Sequence, residues 1–219
     1  MKRKVITTSD GSKTIQIEDW NEQYHSIHGA VQEAEHVFIK NGLQFFHNRE
    51  ISILEMGFGT GLNALISLIR SKELNLKVNY TGVEAYPVAK DELEQLNYIS
   101  CLNAIHLKKE FASMHSSDWG IDILVSQDFI LKKERQLFSE ITYCNAFDLI
   151  YFDAFGARVQ PELWTIDIFE KLYRAMKSDS ILVTYSAKGS VRRAMQAVGF
   201  EVERLPGPPG KREMLRARK

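Results

Sequence analysis

The chain has 219 residues, of which 44% are hydrophobic and 26% charged, and its formal net charge is zero. This composition is that of an ordinary globular protein, and the length suits one sizeable core with a small appendage. No apolar run approaches the roughly 20 residues of a membrane span, so we expect no membrane association. Two cysteines without metal or redox spacing, and a basic start without an apolar continuation, favour a cytoplasmic protein.

Residues 1–50 predict an extension that packs on the main fold, which we place at residues 51–219. Within the extension, residues 14–17 are typical of a short strand. Residues 31–46 have the apolar spacing of a helix, with Val31, Ala34 and Phe38 on one side.

From residue 51 onward, short apolar runs alternate with helical segments. The predicted strands are 51–56, 78–83, 121–125, 147–152, 181–185, 200–205 and 213–217. The predicted helices are 62–70, 88–96, 161–176 and 191–198. The alternation predicts an α/β fold, with a mostly parallel seven-stranded sheet and helices on both faces. Ligands of such sheets bind beyond the C-terminal ends of the strands.

The first of these strands runs into a glycine-rich turn with the spacing G-x-G-x-G at Gly57, Gly59 and Gly61. Glycine permits the sharp turn and lets a ligand approach the backbone, while the helix that follows favours an anionic group. The spacing differs from the dinucleotide pattern, and Glu55 suits an amino group better than a pyrophosphate. We therefore predict a Rossmann-like class I methyltransferase with S-adenosylmethionine at this turn. The predicted contacts are Glu55, Gly57, Phe58, Gly59, Thr60, Gly61 and Asn63.

Two further acids follow predicted strands. Glu84 ends the second strand, where a carboxylate can accept both ribose hydroxyls of a bound nucleoside. Asp128 comes just after the third, where it could meet the adenine edge. The alternative for each is structural: an exposed strand-end glutamate, and an aspartate that caps a turn or helix.

The strongly apolar strand at 147–152 ends at Asp153, which we predict to be catalytic. A carboxylate at the edge of the sheet can orient an amine and receive its proton during methyl transfer. The aromatic side chains of Tyr151, Phe152 and Phe155 could flank a flat base, and Phe155 is a predicted substrate contact. A loop-capping role is the alternative for Asp153.

The C-terminal end is basic, with nine Lys or Arg and three acids in residues 188–219. Such an excess on a neutral protein suggests a polyanionic partner, although a solvated surface would have the same composition. The predicted phosphate contacts are Lys188, Arg192, Arg193, Lys211 and Arg212, with Arg192 alternatively paired to Glu201 or Glu203.

Several segments resemble the methyltransferase domain of the bacterial enzyme that completes 5-methylaminomethyl-2-thiouridine at the tRNA wobble position. They are residues 55–63 (E-M-G-F-G-T-G-L-N), 153–155 (D-A-F), 161–165 (P-E-L-W-T), 185–193 (Y-S-A-K-G-S-V-R-R) and 210–215 (G-K-R-E-M-L). Tyr24, Ser26 and Glu33 extend the resemblance, which covers about residues 19–214 and implies a cofactor contact for Tyr24. The chain departs from the family at residues 156–158, where G-A-R replaces a usual proline.

The resemblance implies S-adenosylmethionine-dependent methylation of the 5-aminomethyl group of wobble (2-thio)uridine, with tRNA as partner and Asp153 at the active centre. The family's best-known members also carry a flavin-dependent oxidase domain. We expect a separate oxidase, or upstream wobble-uridine modification enzymes, to supply the substrate here. Two other functions stay open: a small-molecule amine methyltransferase or aminopropyltransferase of the same fold, and a non-catalytic RNA-binding scaffold.

Overall fold

The computed structural model describes residues 2–219, which contain one large sheet, one small sheet and short helices. In chain order the elements are β1 (Arg3–Thr7), β2 (Lys13–Ile17), β3 (Glu22–Gln23), α1 (Ala30–Ala34), β4 (Glu50–Met56), α2 (Leu62–Glu73), β5 (Lys77–Val83), α3 (Lys90–Leu93), α4 (Tyr98–Cys101), α5 (Lys108–Ser116), β6 (Asp122–Ser126), β7 (Phe129–Glu134), β8 (Phe147–Phe152), α6 (Ile166–Ala175), β9 (Met176–Thr184), α7 (Gly189–Ala197), β10 (Glu201–Pro206) and β11 (Glu213–Arg218).

The large sheet has eight strands in the order β10-β11-β9-β8-β4-β5-β7-β6. The five central strands, β9, β8, β4, β5 and β7, are parallel, and the outer three are antiparallel to their neighbours. Every residue of β8 is buried, as expected for a central strand that is covered on both faces. The C-terminal ends of β4, β5 and β8 therefore meet at one edge of the sheet.

The predicted count of seven strands is corrected to eight, because the sequence analysis missed β7. The segment predicted as the third strand is β6, an antiparallel edge strand, and β7 is the parallel neighbour of β5. The apolar pattern of β7 is interrupted by Lys133, which is nevertheless buried. Its Nζ donates to the carbonyl of His115 at 3.0 Å and lies 4.9 Å from the Trp119 ring centroid.

Three predicted helices are shorter or more irregular than expected. Residues 161–176 form a 3₁₀ turn (Pro161–Trp164) and then α6, because Thr165 between them is extended. Residues 88–96 contain only the four-residue α3. Residues 31–46 form most of α1, then a π-helical stretch (Glu35–Lys40) and a 3₁₀ turn (Leu43–Phe45).

The N-terminal residues form a separate three-stranded sheet, β1-β2-β3, followed by α1. Val37, Phe38 and Leu43 belong to the same buried cluster as residues of β4 and α2, so this region packs against the large sheet. The division of the chain at residue 50 stays a prediction. No helix within residues 2–219 combines the length and the apolar character that crossing a membrane requires.

Candidate active site

A cavity of about 900 Å³ lies at the edge of the sheet where β4, β5 and β8 end. Gly57, Glu84 and Asp153, which follow these strands, line one side, and we call them the floor. Lining residues between 3 and 33, among them Trp20, come from the N-terminal sheet, from the segments that follow β2 and β3, and from α1. We call these the N-terminal wall.

The glycine turn holds the floor together. Gly57 and Phe58 both donate backbone hydrogen bonds to the carbonyl of Val83, at 2.9 and 3.0 Å. Gly57 has φ +100°, and a Cβ there would lie 2.6 Å from the carbonyl oxygen of Asp153. Only glycine fits between the two neighbouring strand ends, which keeps the backbone open to a ligand.

Glu84 is fixed at the end of β5 by two backbone donors. Its Oε2 accepts a hydrogen bond from the Gly59 amide at 3.1 Å, and its Oε1 accepts one from Tyr86 at 2.9 Å. A carboxylate has about four acceptor positions, so both oxygens keep capacity for ribose hydroxyls. The predicted position of Glu84 at the cavity is what the structure shows.

Glu55 lies one layer below the floor, which corrects its predicted direct contact with the cofactor. It is 1% exposed, and its oxygens accept hydrogen bonds from Asn63 and from the Tyr80 hydroxyl, each at 2.8 Å. Burial raises the pKa of Glu55 well above its usual value. Asn63 also donates to Asp153 Oδ2 at 2.8 Å, so Glu55 orients the amide that holds Asp153.

The side chains of Phe58 and Thr60 likewise turn away from the cavity, so a cofactor contact of these residues through their backbone stays a prediction. The Phe58 ring is buried against Gly82, where an added Cβ would collide with it. Thr60 is 1% exposed and accepts a hydrogen bond from the Tyr98 hydroxyl at 3.1 Å. Both side chains support the turn from inside the protein.

Asp128 lies at the opposite edge of the sheet, so its predicted contact with adenine is wrong. It immediately precedes β7, and its carbonyl accepts a hydrogen bond from Val78 near the start of β5. The residues that follow β7 are the ones beside Glu84, and Leu137 and Phe138 line the cavity there.

Asp153 is the half-buried carboxylate of the floor. Its pKa is raised to about 7, first by burial and then by the negative charge of Glu33, while Asn63 and Lys211 act in the opposite direction. Its amide donates to the Met56 carbonyl at 3.0 Å, which fixes the backbone to β4. The site thus holds an acid–base group that titrates near neutral pH.

Aromatic side chains surround Asp153. The ring centroids of Phe155 lie 4.9 Å from Tyr24 and 5.6 Å from Trp20, both edge-on, and all three residues line the cavity. Tyr151 and Phe152 are fully buried within the sheet and cannot flank a ligand as predicted.

Lys211 is part of the cavity lining and pairs with an acid there, while its predicted contact with RNA phosphate stays a prediction. Its Nζ lies 2.6 Å from Glu33 Oε1 and 3.7 Å from the Tyr185 ring centroid. Glu33 and Tyr185 also belong to the site, although neither was predicted as a site residue. The sequence does hint at Glu33, because this acid lies among the regularly spaced apolar residues of α1. In the structure its exposed fraction is 6%.

His25 is a further missed residue of the N-terminal wall. Its Nδ1 lies 3.0 Å from Thr14 Oγ1 and its Nε2 lies 3.5 Å from Thr60 Oγ1. Burial lowers the pKa of His25 to about 4, so the ring is neutral at neutral pH. It joins the small sheet to the glycine turn.

The other predicted phosphate contacts lie outside the cavity lining. Lys188, Arg193 and Arg212 are exposed, and Arg192 is half-buried. Arg192 Nε is buried without a hydrogen-bond partner in the described part of the chain. The alternative pairing of Arg192 with Glu203 does not form, because Glu203 pairs with Arg216 at 2.7 Å.

A family model described as S-adenosyl-L-methionine-dependent methyltransferase matches residues 105–219. The chain belongs to this family. The methyltransferase is 32% identical, over 89% of its length, to a relative from Aromatoleum aromaticum, the tRNA 5-methylaminomethyl-2-thiouridine biosynthesis bifunctional protein MnmC. The chain spans about a third of that relative, 32% of its length.

The fold of this chain is also similar to the folds of solved structures. The crystal structure of MNMC2 from Aquifex aeolicus matches 99% of this chain and 70% of its own, with a TM-score of 0.79 and 25% identity. A spermidine synthase from Thermotoga maritima matches with a TM-score of 0.54 and 13% identity, a likeness of fold alone.

The residues at the cavity fit S-adenosylmethionine, the cofactor of this methyltransferase family. Gly57 leaves backbone accessible, and Glu84 offers acceptors for a ribose. Behind the floor, Asn63 Oδ1 is buried and has no hydrogen-bond partner within residues 2–219, so an unused acceptor lies next to Asp153. The open backbone at Gly57 and the carboxylate of Glu84 are therefore the groups that would hold the cofactor.

Proposed function

We propose that this methyltransferase transfers a methyl group from S-adenosylmethionine to the 5-aminomethyl group of wobble (2-thio)uridine in tRNA. The observation that carries the proposal is Asp153, a carboxylate with a pKa of about 7 on the cavity floor beneath aromatic rings. The name of the relative from Aromatoleum aromaticum supports the choice of acceptor.

The chemistry requires a base, because a primary amine is largely protonated in water and cannot attack in that form. When bound, S-adenosylmethionine would supply an electrophilic methyl group on a positively charged sulfur, and that sulfur would keep the bonding electron pair. Asp153 accepts the proton of the ammonium group, and the freed lone pair of nitrogen forms the new C–N bond. A base whose pKa lies near the working pH is well suited to this step.

Asn63 prepares Asp153 for that role. It donates to Oδ2 at 2.8 Å, while Oδ1 has no hydrogen bond to another residue of the described chain. One oxygen is thus held and the other stays available to the acceptor amine. Such orientation lowers the cost of bringing the reacting groups into line.

The wall around Asp153 suits a flat base that carries a cation. Tyr24, Phe155 and Tyr185 offer ring surfaces, and single-stranded RNA bases commonly stack on such rings. Glu162 adds negative charge to the lining, which favours an ammonium group over a neutral one. Lys188, just before α7, and Arg193, on α7, are exposed, and both are proposed to contact tRNA phosphates.

The acceptor must carry the aminomethyl group before the chain acts. We therefore propose that an earlier step of wobble-uridine modification, such as oxidative removal of a carboxymethyl group, supplies it. A tRNA substrate of this kind assigns the proposed reaction to the cytoplasm.

The direct test is to incubate the purified chain with S-adenosylmethionine and tRNA that carries 5-aminomethyl-2-thiouridine, and to analyse the nucleosides by mass spectrometry. We expect the wobble nucleoside to gain one methyl group, and the matched tRNA with unmodified uridine to gain none. Methylation of small amines with no change in the tRNA would instead favour a small-molecule methyltransferase. Cofactor binding without any transfer would favour the scaffold.

A further inference from the structure

An ion pair buried in the cavity lining joins the two ends of the chain. Glu33 lies on α1, and Lys211 lies in the turn between β10 and β11, 178 positions later. Lys211 Nζ donates to Glu33 Oε1 at 2.6 Å, and the Ser26 amide donates to Glu33 Oε2 at 2.7 Å. The side chain of Glu33 is 8% exposed and that of Lys211 33%, so solvent screens the pair only in part.

The pair is connected to Asp153 through Tyr185. The Lys211 ammonium lies 3.7 Å from the Tyr185 ring centroid, and the Tyr185 hydroxyl donates to the Ala154 carbonyl at 2.8 Å. Ala154 follows Asp153 directly, so the ion pair, the ring and the peptide beside the base form one contiguous set of contacts.

We propose that Glu33 and Lys211 are a positioning pair that sets the pH range in which Asp153 serves as the base. This inference rests on the proposed function. It assigns a role to two residues that need not touch the methyl group, and it explains why a lysine and a glutamate are placed in the lining beside the base.

Charged and titratable groups face Asp153 from each neighbouring element. Those groups are Glu33 on α1, Lys211 in the C-terminal turn, Glu55 at the end of β4, Tyr80 on β5 and Tyr185 after β9. Glu33 raises the pKa of Asp153 and Lys211 lowers it. Burial raises the pKa of Glu55, and it raises the pKa values of Tyr80 and Tyr185 above the ordinary value for tyrosine, so both phenols are neutral at neutral pH.

The test is the pH dependence of kcat/KM for Glu33→Gln and Lys211→Met, measured at saturating cofactor. Glu33→Gln removes the charge that favours protonated Asp153. The acid limb, which is the fall of kcat/KM at low pH, should therefore move down by about one pH unit. Lys211→Met should move it up, and the double variant should lie between the two. A purely structural pair would lower the rates without shifting the limb in opposite directions.

Glu33→Gln leaves a lysine without its partner, and such a variant can fail to fold. Lys211→Met leaves Glu33 with the hydrogen bond that it accepts from the Ser26 amide, so this variant carries the test alone if Glu33→Gln is lost. An acid limb that stays at the wild-type pH in Lys211→Met would overturn the pairing role. If the wild type has no acid limb, or Asp153→Asn keeps its rate, the base role of Asp153 fails instead. If no methyl group reaches the tRNA at any pH, the proposed function itself fails.

Discussion

The floor and the N-terminal wall of the cavity are built in different ways. Floor residues follow parallel strands and are fixed by short backbone contacts, such as the Gly59 amide to Glu84 at 3.1 Å. The wall comes from the small sheet, the loop after it and α1, and side chains such as His25 and Glu33 connect it to the rest of the protein. We propose that the floor binds the cofactor and that the wall distinguishes acceptors.

The comparison predicts the largest effect for the acceptor side of the floor. Asp153→Ala should lower methyl transfer to tRNA by at least about 10²-fold, because it removes the base. Cofactor affinity should stay within a few-fold of wild type. Single-turnover transfer of labelled methyl and calorimetry measure the two quantities. Equal losses in both would mean that Asp153 belongs to the cofactor side instead.

Glu84 should show the reverse behaviour. Glu84→Ala removes charged acceptors for the ribose, and we expect cofactor binding to weaken by about 1.5–3 kcal/mol. Glu94→Ala, an exposed acid beyond α3, is the matched control and should bind normally. Calorimetry that finds the same affinity in both variants would remove Glu84 from the cofactor site.

Gly57→Ala tests how tightly the floor is packed. The new Cβ would lie 2.6 Å from the Asp153 carbonyl, and the residue would keep φ near +100°. Gly120→Ala is the control, because Gly120 has φ +82° but open space around its Cβ position. We expect a loss of about 1–3 kcal/mol in the free energy of unfolding for Gly57→Ala. Gly120→Ala should lose less and should keep cofactor affinity, and urea unfolding that shows equal losses would contradict the packing account.

The smallest effect concerns the exposed basic residues outside the cavity. Replacing Lys188 and Arg193 with alanine should flatten the log–log salt dependence of tRNA binding by about 1 to 1.5, at about 0.7 per phosphate contact. Lys108 and Lys109, exposed on α5, provide a matched double variant that should leave the slope unchanged. If the α5 variant flattens the slope and the other does not, the RNA contacts a different face.

The sequence was most informative where a structural rule leaves few choices. The apolar run before Asp153 matches β8, and the glycine spacing marks the turn, because buried parallel strands and tight turns restrict residue type. Local sequence rules fail where long-range contacts determine which residues are buried. Lys133 conceals β7, and its burial depends on Trp119 and the His115 carbonyl, which no local pattern shows. That omission led directly to the misplaced Asp128.

Charge alone also proved ambiguous. Lys211 and Arg212 are neighbours in a basic segment, yet Lys211 enters the cavity and Arg212 is exposed. The partner of Lys211 is Glu33, far away in the chain, so composition could not separate the two roles. The N-terminal wall was foreseen only through Tyr24, because its other residues meet the site through tertiary contacts.

The most direct test of the account is the pH dependence of single-turnover methyl transfer to tRNA with 5-aminomethyluridine, for the wild type and Asp153→Asn. The raised pKa of about 7 means that Asp153 is a competent base above that pH and is protonated below it. The account predicts a wild-type rate that falls as the pH drops through about 7, and an Asn variant that is slow throughout. A variant with a near-normal rate and the same pH profile would contradict it.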